Sequence, residues 1–373
     1  MNLQELTDQL LHKPLEFEKS NGVEQMIAEG VTFDDLRFFI RKIYDLNENQ
    51  LIETSNANRG TLGKMNKKST EDRKKLFNKK ADSQKEGKTY YRIYAEGDSW
   101  FQFPTFIKDI VDWLNSENDF LIYSEAYGGD WITNILYEGQ YISSLSNYSP
   151  EFFLISGGGN DLVGNHRLGI MVEKNSKCIR HENESTLNSA VLTPEQKNMV
   201  LEAQPFITKE FYAFLNVIRL QYTLLFNNIY SEKSKHKHII SITQGYDYPF
   251  PNPKRRICLK YPLQPILNSF LDSGDWLFTP LMIKGIMKPE LQRAIMMAFI
   301  YEFNEMMISF AKSNKFPNVF HIDCRGVAPV QKHWFDELHL KSDYFKKVAG
   351  AYKHVIRNHN TLSDRVIRVS ERK

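Results

Sequence analysis

Ser99 stands in the stretch YAEGDSWFQFP, Tyr94 to Pro104, where a strand-like run meets Gly97-Asp98-Ser99 and then Trp100. A turn favours these three residue types, because glycine tolerates unusual dihedrals and Asp and Ser bond to nearby backbone. The same corner can also display a serine hydroxyl as a nucleophile. A hydroxyl attacks poorly at neutral pH without a base, and the base needs an acceptor that fixes its tautomer and steadies the charge it gains. Near the far end, HWFDELHLKSDYF supplies both, with Asp336 and His339 three residues apart. His333, His321 and His166 are rival bases. His321 lies inside an apolar run and reads as a core histidine, which leaves His333 as the main rival.

The elements that would carry these residues follow a repeating grammar of strand, glycine-bearing loop and helix. TYYRIYAEG, DFLIYSEA, EFFLISGGG, KHIISITQGYD and VFHIDCRG read as five strands. PTFIKDIVDWLNS reads as a helix with Pro104 in its first turn, and 211–232, 290–312 and 342–358 read as longer helices. Apolar strands alternating with helices imply a mainly parallel sheet covered on both faces. Ligands of such sheets bind beyond the carboxyl ends of the strands. The unusual residues collect there, with GDS after the first strand, YGGD after the second, GGGND after the third and GYDYP after the fourth. GGGND lacks both GxGxxG spacing and GK[ST], so a dinucleotide or P-loop site is not indicated.

Taken together, GDSW, YGGDW, GGGND and DELH resemble, in order, the four sequence blocks of the SGNH hydrolases, the GDSL esterase/lipase family. The resemblance spans residues 90 to about 357. It implies a three-layer α/β/α sandwich around a five-stranded sheet, and hydrolysis of a carboxylic ester through an acyl-serine. It implies that Ser99 attacks, His339 is the base and Asp336 orients it. It further implies that the amide of Ser99, the amide of Gly129 and the side chain of Asn160 form an oxyanion hole, donors of the kind a tetrahedral intermediate needs. Gly129 is preferred to Gly128 because it directly precedes Asp130. Asp98 reads as a corner-stabilising residue. Two positions depart from the family's pattern: Trp100 stands where leucine is typical, and Leu340 where proline often follows the histidine. Neither removes a reacting group.

Around this domain, 89–360, the chain reads as a helical N-terminal segment (1–55), a basic charged linker (56–88) and a C-terminal tail (361–373). Insertions fall near 165–205 and 250–290. Thr32 and Asp35 open a capping box for a helix in the first segment. Residues 56–88 hold eleven Lys or Arg against four Asp or Glu, which reads as a solvated linker or charged helix. The net charge of +3 is too small to suggest nucleic acid. No continuous apolar run approaches the ~20 residues of a membrane span, and three scattered cysteines suggest a reducing compartment, with cytoplasm the expectation. No metal or organic cofactor is implied. The expected partner is a small-molecule or lipid ester, with a protein partner or self-association through 1–88 as a further option. Other readings are a partner-controlled hydrolase effector, a carbohydrate O-acetylesterase or a non-catalytic binding module. Phe101, Phe103, Tyr248, Phe250, Tyr261 and Trp276 are candidates to line a substrate pocket.

Overall fold

The computed structural model describes residues 1–45, 60–85, 87–103, 107–252 and 276–369. Pro104, Tyr261, Cys258 and most of the 250–290 insertion lie outside them. The frame is one parallel sheet of six strands: β1 (Tyr91–Gly97), β2 (Phe120–Ser124), β3 (Phe152–Ser156), β4 (Ile240–Gln244), β5 (Val319–Asp323) and β6 (Val366–Arg368). Their order is β2-β1-β3-β4-β5-β6. The chain steps from β1 to one side and then crosses back to β3 on the other. The crevice at this reversal of direction is the place where such sheets bind ligands.

β6 corrects the expectation of five strands and a C-terminal tail. It is only three residues long, between Arg365 and Val369, and too short to show a period in the sequence. Its pairing comes from β5, with His321 opposite Val366 and Asp323 opposite Arg368.

Strand parity assigns the helices to faces. α11 (Lys209–Tyr230) reaches Ser241 of β4 through the Tyr230 hydroxyl, at 2.7 Å. α14 (Ser342–Asn358) reaches Gln244 of the same strand through Tyr352, at 3.1 Å. Side chains an odd number of residues apart on a strand point to opposite faces, so these two helices cover opposite sides of the sheet. α6 (Ile110–Asn115) packs with α14, and α7 (Ile132–Glu138) and α13 (Pro289–Lys312) pack with α11. α13 is long and apolar enough to cross a membrane, yet 89% of its apolar window is buried in the protein. It serves here as a core helix.

The N-terminal segment forms α1 (Leu3–His12), α2 (Pro14–Lys19), α3 (Gly22–Ala28) and α4 (Phe33–Tyr44), the last opening on the Thr32–Asp35 capping box. All four pack on α11, and Leu6, Phe17 and Phe39 join the same hydrophobic cluster as the sheet. Polar contacts tie them in place. Glu18 accepts from Arg180 at 2.8 Å and from Arg219 at 3.2 Å, and Asn216 donates to the Pro14 carbonyl at 2.9 Å.

The span read as a basic linker contains α5 (Gly60–Lys85), a 26-residue helix packed against β2. Asn66, Thr70, Arg73, Phe77 and Lys80 recur at helical spacing along its inner face. Arg73 bonds Asp109 at 2.6 Å and Asp112 at 2.8 Å, while the Phe77 ring packs edge-on against Tyr123 and Tyr148. Lys80 donates to three carbonyls, those of Asn115, Glu117 and Phe120.

Candidate active site

β1 ends at Gly97, and a Cβ there would lie 2.5 Å from the Ser156 carbonyl, so only glycine allows β1 and β3 to approach so closely. Asp98 then turns the chain. Its carbonyl accepts from the amides of Phe101 and Gln102, each at 3.0 Å. Its buried carboxylate accepts from the Trp100 amide at 3.0 Å, the Ser156 hydroxyl at 2.9 Å and the Tyr246 hydroxyl. Burial pushes the Asp98 carboxyl above the ordinary carboxylate range, against the pull of these donors. Accepting from these three donors, the Asp98 carboxylate holds the corner. Ser99 is left half-buried at the tip.

His339 reaches that tip from the loop before α14. Its Nε2 lies 2.7 Å from Ser99 Oγ, and its Nδ1 lies 2.9 and 2.8 Å from the two carboxylate oxygens of Asp336. Asp336 Oδ1 also accepts from the backbone amides of Leu338 at 2.8 Å and His339 at 2.7 Å, which locks the turn that places the ring. The geometry fixes one tautomer, with Nδ1–H donating to Asp336 and Nε2 free to accept from the serine. The imidazole packs 4.6 Å from the Phe103 ring.

The rival histidines have other surroundings. His333 stacks on Tyr344 at 4.2 Å. His321 is fully buried on β5, its Nδ1 2.8 Å from Thr243 Oγ1, and burial pushes its pKa down to about 3, so it stays neutral in the core. The side chain of His166 lies outside the described residues.

Asn160, in α9 (Gly159–Val163) after β3, shares a pocket lining with Ser99. One hydrogen of its amide nitrogen goes to the Asp130 carbonyl at 2.9 Å, which anchors the side chain and leaves the second hydrogen to point elsewhere. Gly129 has φ +91°, a left-handed conformation that favours glycine. Its neighbour Gly128 donates its amide to Asn66 at 3.2 Å, so of the two glycines in YGGDW it is Gly128 whose N–H is already engaged. Among the described residues the amides of Ser99 and Gly129 donate to no other group. Ser99, His339, Asp336 and the three amide donors therefore share the end of the sheet that carries the loops after β1, β2 and β3, an arrangement able to carry acyl transfer.

Beside Ser99 and Asn160 the pocket is lined by Leu162, Val163, Met296, Ile300, Phe303 and Trp334, side chains of α9, α13 and the loop before α14. The aromatics singled out in the sequence are placed differently. Phe103 and Trp276 flank His339, Phe101 is buried against Tyr352, and Phe250 packs on Trp334.

Sequence reading missed the residues that hold the site together. The Trp100 indole donates to the Leu338 carbonyl at 3.1 Å, pinning the serine corner to the histidine loop. Glu337, next to Asp336, accepts from the amides of Asn252, Leu277 and Phe278 at 2.8, 3.0 and 3.0 Å, joining both flanks of the second insertion to the same loop. The departure from leucine at 100 was the visible signal for the first. Nothing in the sequence pointed to the second. No family model matches the chain, and neither a curated protein nor a solved structure matches it.

Proposed function

We propose that this protein is a serine hydrolase of the SGNH type, a three-layer α/β/α enzyme that cleaves carboxylic esters through an acyl-serine. The observation that carries this reading is the relay from Ser99 Oγ through His339 Nε2, at 2.7 Å, to the Asp336 carboxylate on Nδ1. Ser99 Oγ bonds to the acyl carbon as its proton passes to His339. Asp336 orients the ring and stabilises the imidazolium as it forms. The developing oxyanion is met by the amides of Ser99 and Gly129 and the second amide hydrogen of Asn160. The tetrahedral intermediate collapses, the alkoxide takes the proton from His339, and the alcohol leaves. Water then attacks the acyl-serine with His339 again as base, releasing the acid and restoring Ser99. The apolar lining supplied by α9 and α13 favours an ester whose acyl part is itself apolar.

The test is covalent labelling. A fluorophosphonate should modify Ser99, located by mass spectrometry, and a panel of p-nitrophenyl esters of graded acyl length should be turned over. Ser99→Ala should lose the label and about 10⁴-fold or more of the turnover. A folded Ser99→Ala protein that keeps its esterase activity would sink the reading.

A further inference from the structure

We infer that Asn66, on the N-terminal helix α5, is a positioning residue for the oxyanion hole, and that α5 is a working part of the acyl-transfer site. This rests on the hydrolase reading above. Asn66 is completely buried although it lies on a strongly basic helix. Its side chain makes a two-way clamp on a single backbone position: Nδ2 donates to the Gly128 carbonyl at 3.1 Å, and Oδ1 accepts from the Gly128 amide at 3.2 Å. Oδ1 also accepts from Gln102 Nε2 at 3.3 Å, and the same nitrogen donates to the Asn66 carbonyl at 3.3 Å. Gln102 lies three residues beyond Ser99, and Gly128 directly precedes Gly129. One side chain therefore ties together the loops after β1 and β2, which supply two of the three proposed oxyanion donors.

The fit is close on every side. A Cβ on Gly128 would lie 3.0 Å from Asn66 Oδ1 and 2.8 Å from the Gln102 carbonyl, so the first glycine of YGGD is required by the clamp and the second by its φ. About two helical turns along α5, Arg73 donates to the Phe101 carbonyl at 2.6 Å, holding the corner loop from the same side. An amide donor aimed at a developing charge is effective only when it is held in place before reaction, and a misplacement of about 1 Å can cost 10²-fold. Asn66 fixes the peptide that leads into Gly129 and so sets the direction of the Gly129 N–H.

The full-length protein with Asn66→Ala should lose about 10- to 100-fold in kcat with KM within about twofold of the parent. Lys80→Ala is the comparison variant. It loosens the far end of α5 and should cost thermal stability while leaving kcat near the parent value. The direct readout of the clamp is hydrogen exchange at the Gly128 amide, which should quicken at least tenfold in Asn66→Ala and remain slow in Lys80→Ala. If Asn66→Ala lowers only the melting temperature and keeps kcat, or if exchange at Gly128 is unchanged, Asn66 is a packing residue and the inference falls. If the parent protein hydrolyses no ester and takes no fluorophosphonate, the hydrolase reading fails. The exchange measurement then decides the clamp by itself.

Discussion

At the scale of single residues, the hydroxyl, imidazole and carboxylate act as a unit, so their losses should not add. His339→Ala should be as damaging as Ser99→Ala, and the double variant little worse than either. His333→Ala should be mild, because that ring is committed to Tyr344. Asp336→Asn should cost on the order of 10⁴-fold in kcat while the protein stays folded, since an amide can turn its own donor toward Nδ1 and impose the wrong tautomer. Steady-state kinetics on the four single variants and the double variant checks this, and a severe His333→Ala beside a mild His339→Ala would move the base to His333. Asn160 is tested differently. Asn160→Ala removes one oxyanion donor and should lower kcat by about 10²–10³-fold with KM nearly constant. A rise in KM at constant kcat would make Asn160 a substrate-binding residue.

At the scale of elements, the question is what joins the serine corner to the histidine loop, 240 residues apart in the chain. The Trp100 indole does so through the Leu338 carbonyl. Trp100→Phe keeps the ring's burial against Tyr246 and Phe345 but leaves that carbonyl without its donor. The loss should be about 1–3 kcal/mol of stability, read by denaturant unfolding, with kcat falling more than KM rises. Unchanged stability and turnover would show that the loop is held by Asp336 and Glu337 alone. The five longer strands and the blocks at their ends were legible because apolar runs and glycine-bearing loops leave a local signature. The packing of α5 on the sheet was not, because the residues it turns inward are Asn66, Thr70, Arg73, Phe77 and Lys80. A search for apolar periodicity passes over a face buried through hydrogen bonds and ion pairs. β6 escaped for another reason: three residues at an edge take their conformation from β5 and carry no pattern of their own. Glu337 sits beside the most readable residues in the chain and was still invisible. Its partners are backbone amides at positions 252, 277 and 278, which no spacing rule connects to it.

At the scale of the whole molecule, the buried carboxyls decide how stability follows pH. Glu96, on β1, is buried. Desolvation, with the neighbouring Asp130 charge added, pushes its pKa from 4.5 up to about 8, although Tyr94 and the Gly97 amide donate to it. The Tyr94 hydroxyl lies 2.7 Å from carboxylate oxygens of both Glu96 and Glu125, and one phenolic hydrogen can serve only one of them. A proton on Glu96 resolves the conflict. Between the unfolded pKa and about 8 the folded state then binds the extra proton, so the stability it contributes is complete below pH 4.5 and is lost as pH rises through 8. Asp161 and Asp247, both raised by burial to about 6, act with the same sign over a narrower window. His321, held neutral down to about 3, acts with the opposite sign: its contribution is present above the unfolded value of 6.5 and is lost as pH falls toward 3. The protein should therefore lose melting temperature as pH rises from about 4.5 to 8, with His321 offsetting part of that fall below 6.5. Glu96→Gln should flatten the alkaline part of that decline, because glutamine has no proton to lose. Its fixed cost or gain in packing shifts the whole curve and leaves the slope as the diagnostic. Melting curves of parent and variant at intervals from pH 5 to 9 make the comparison, and parallel curves would mean that Glu96 is already ionised in the fold.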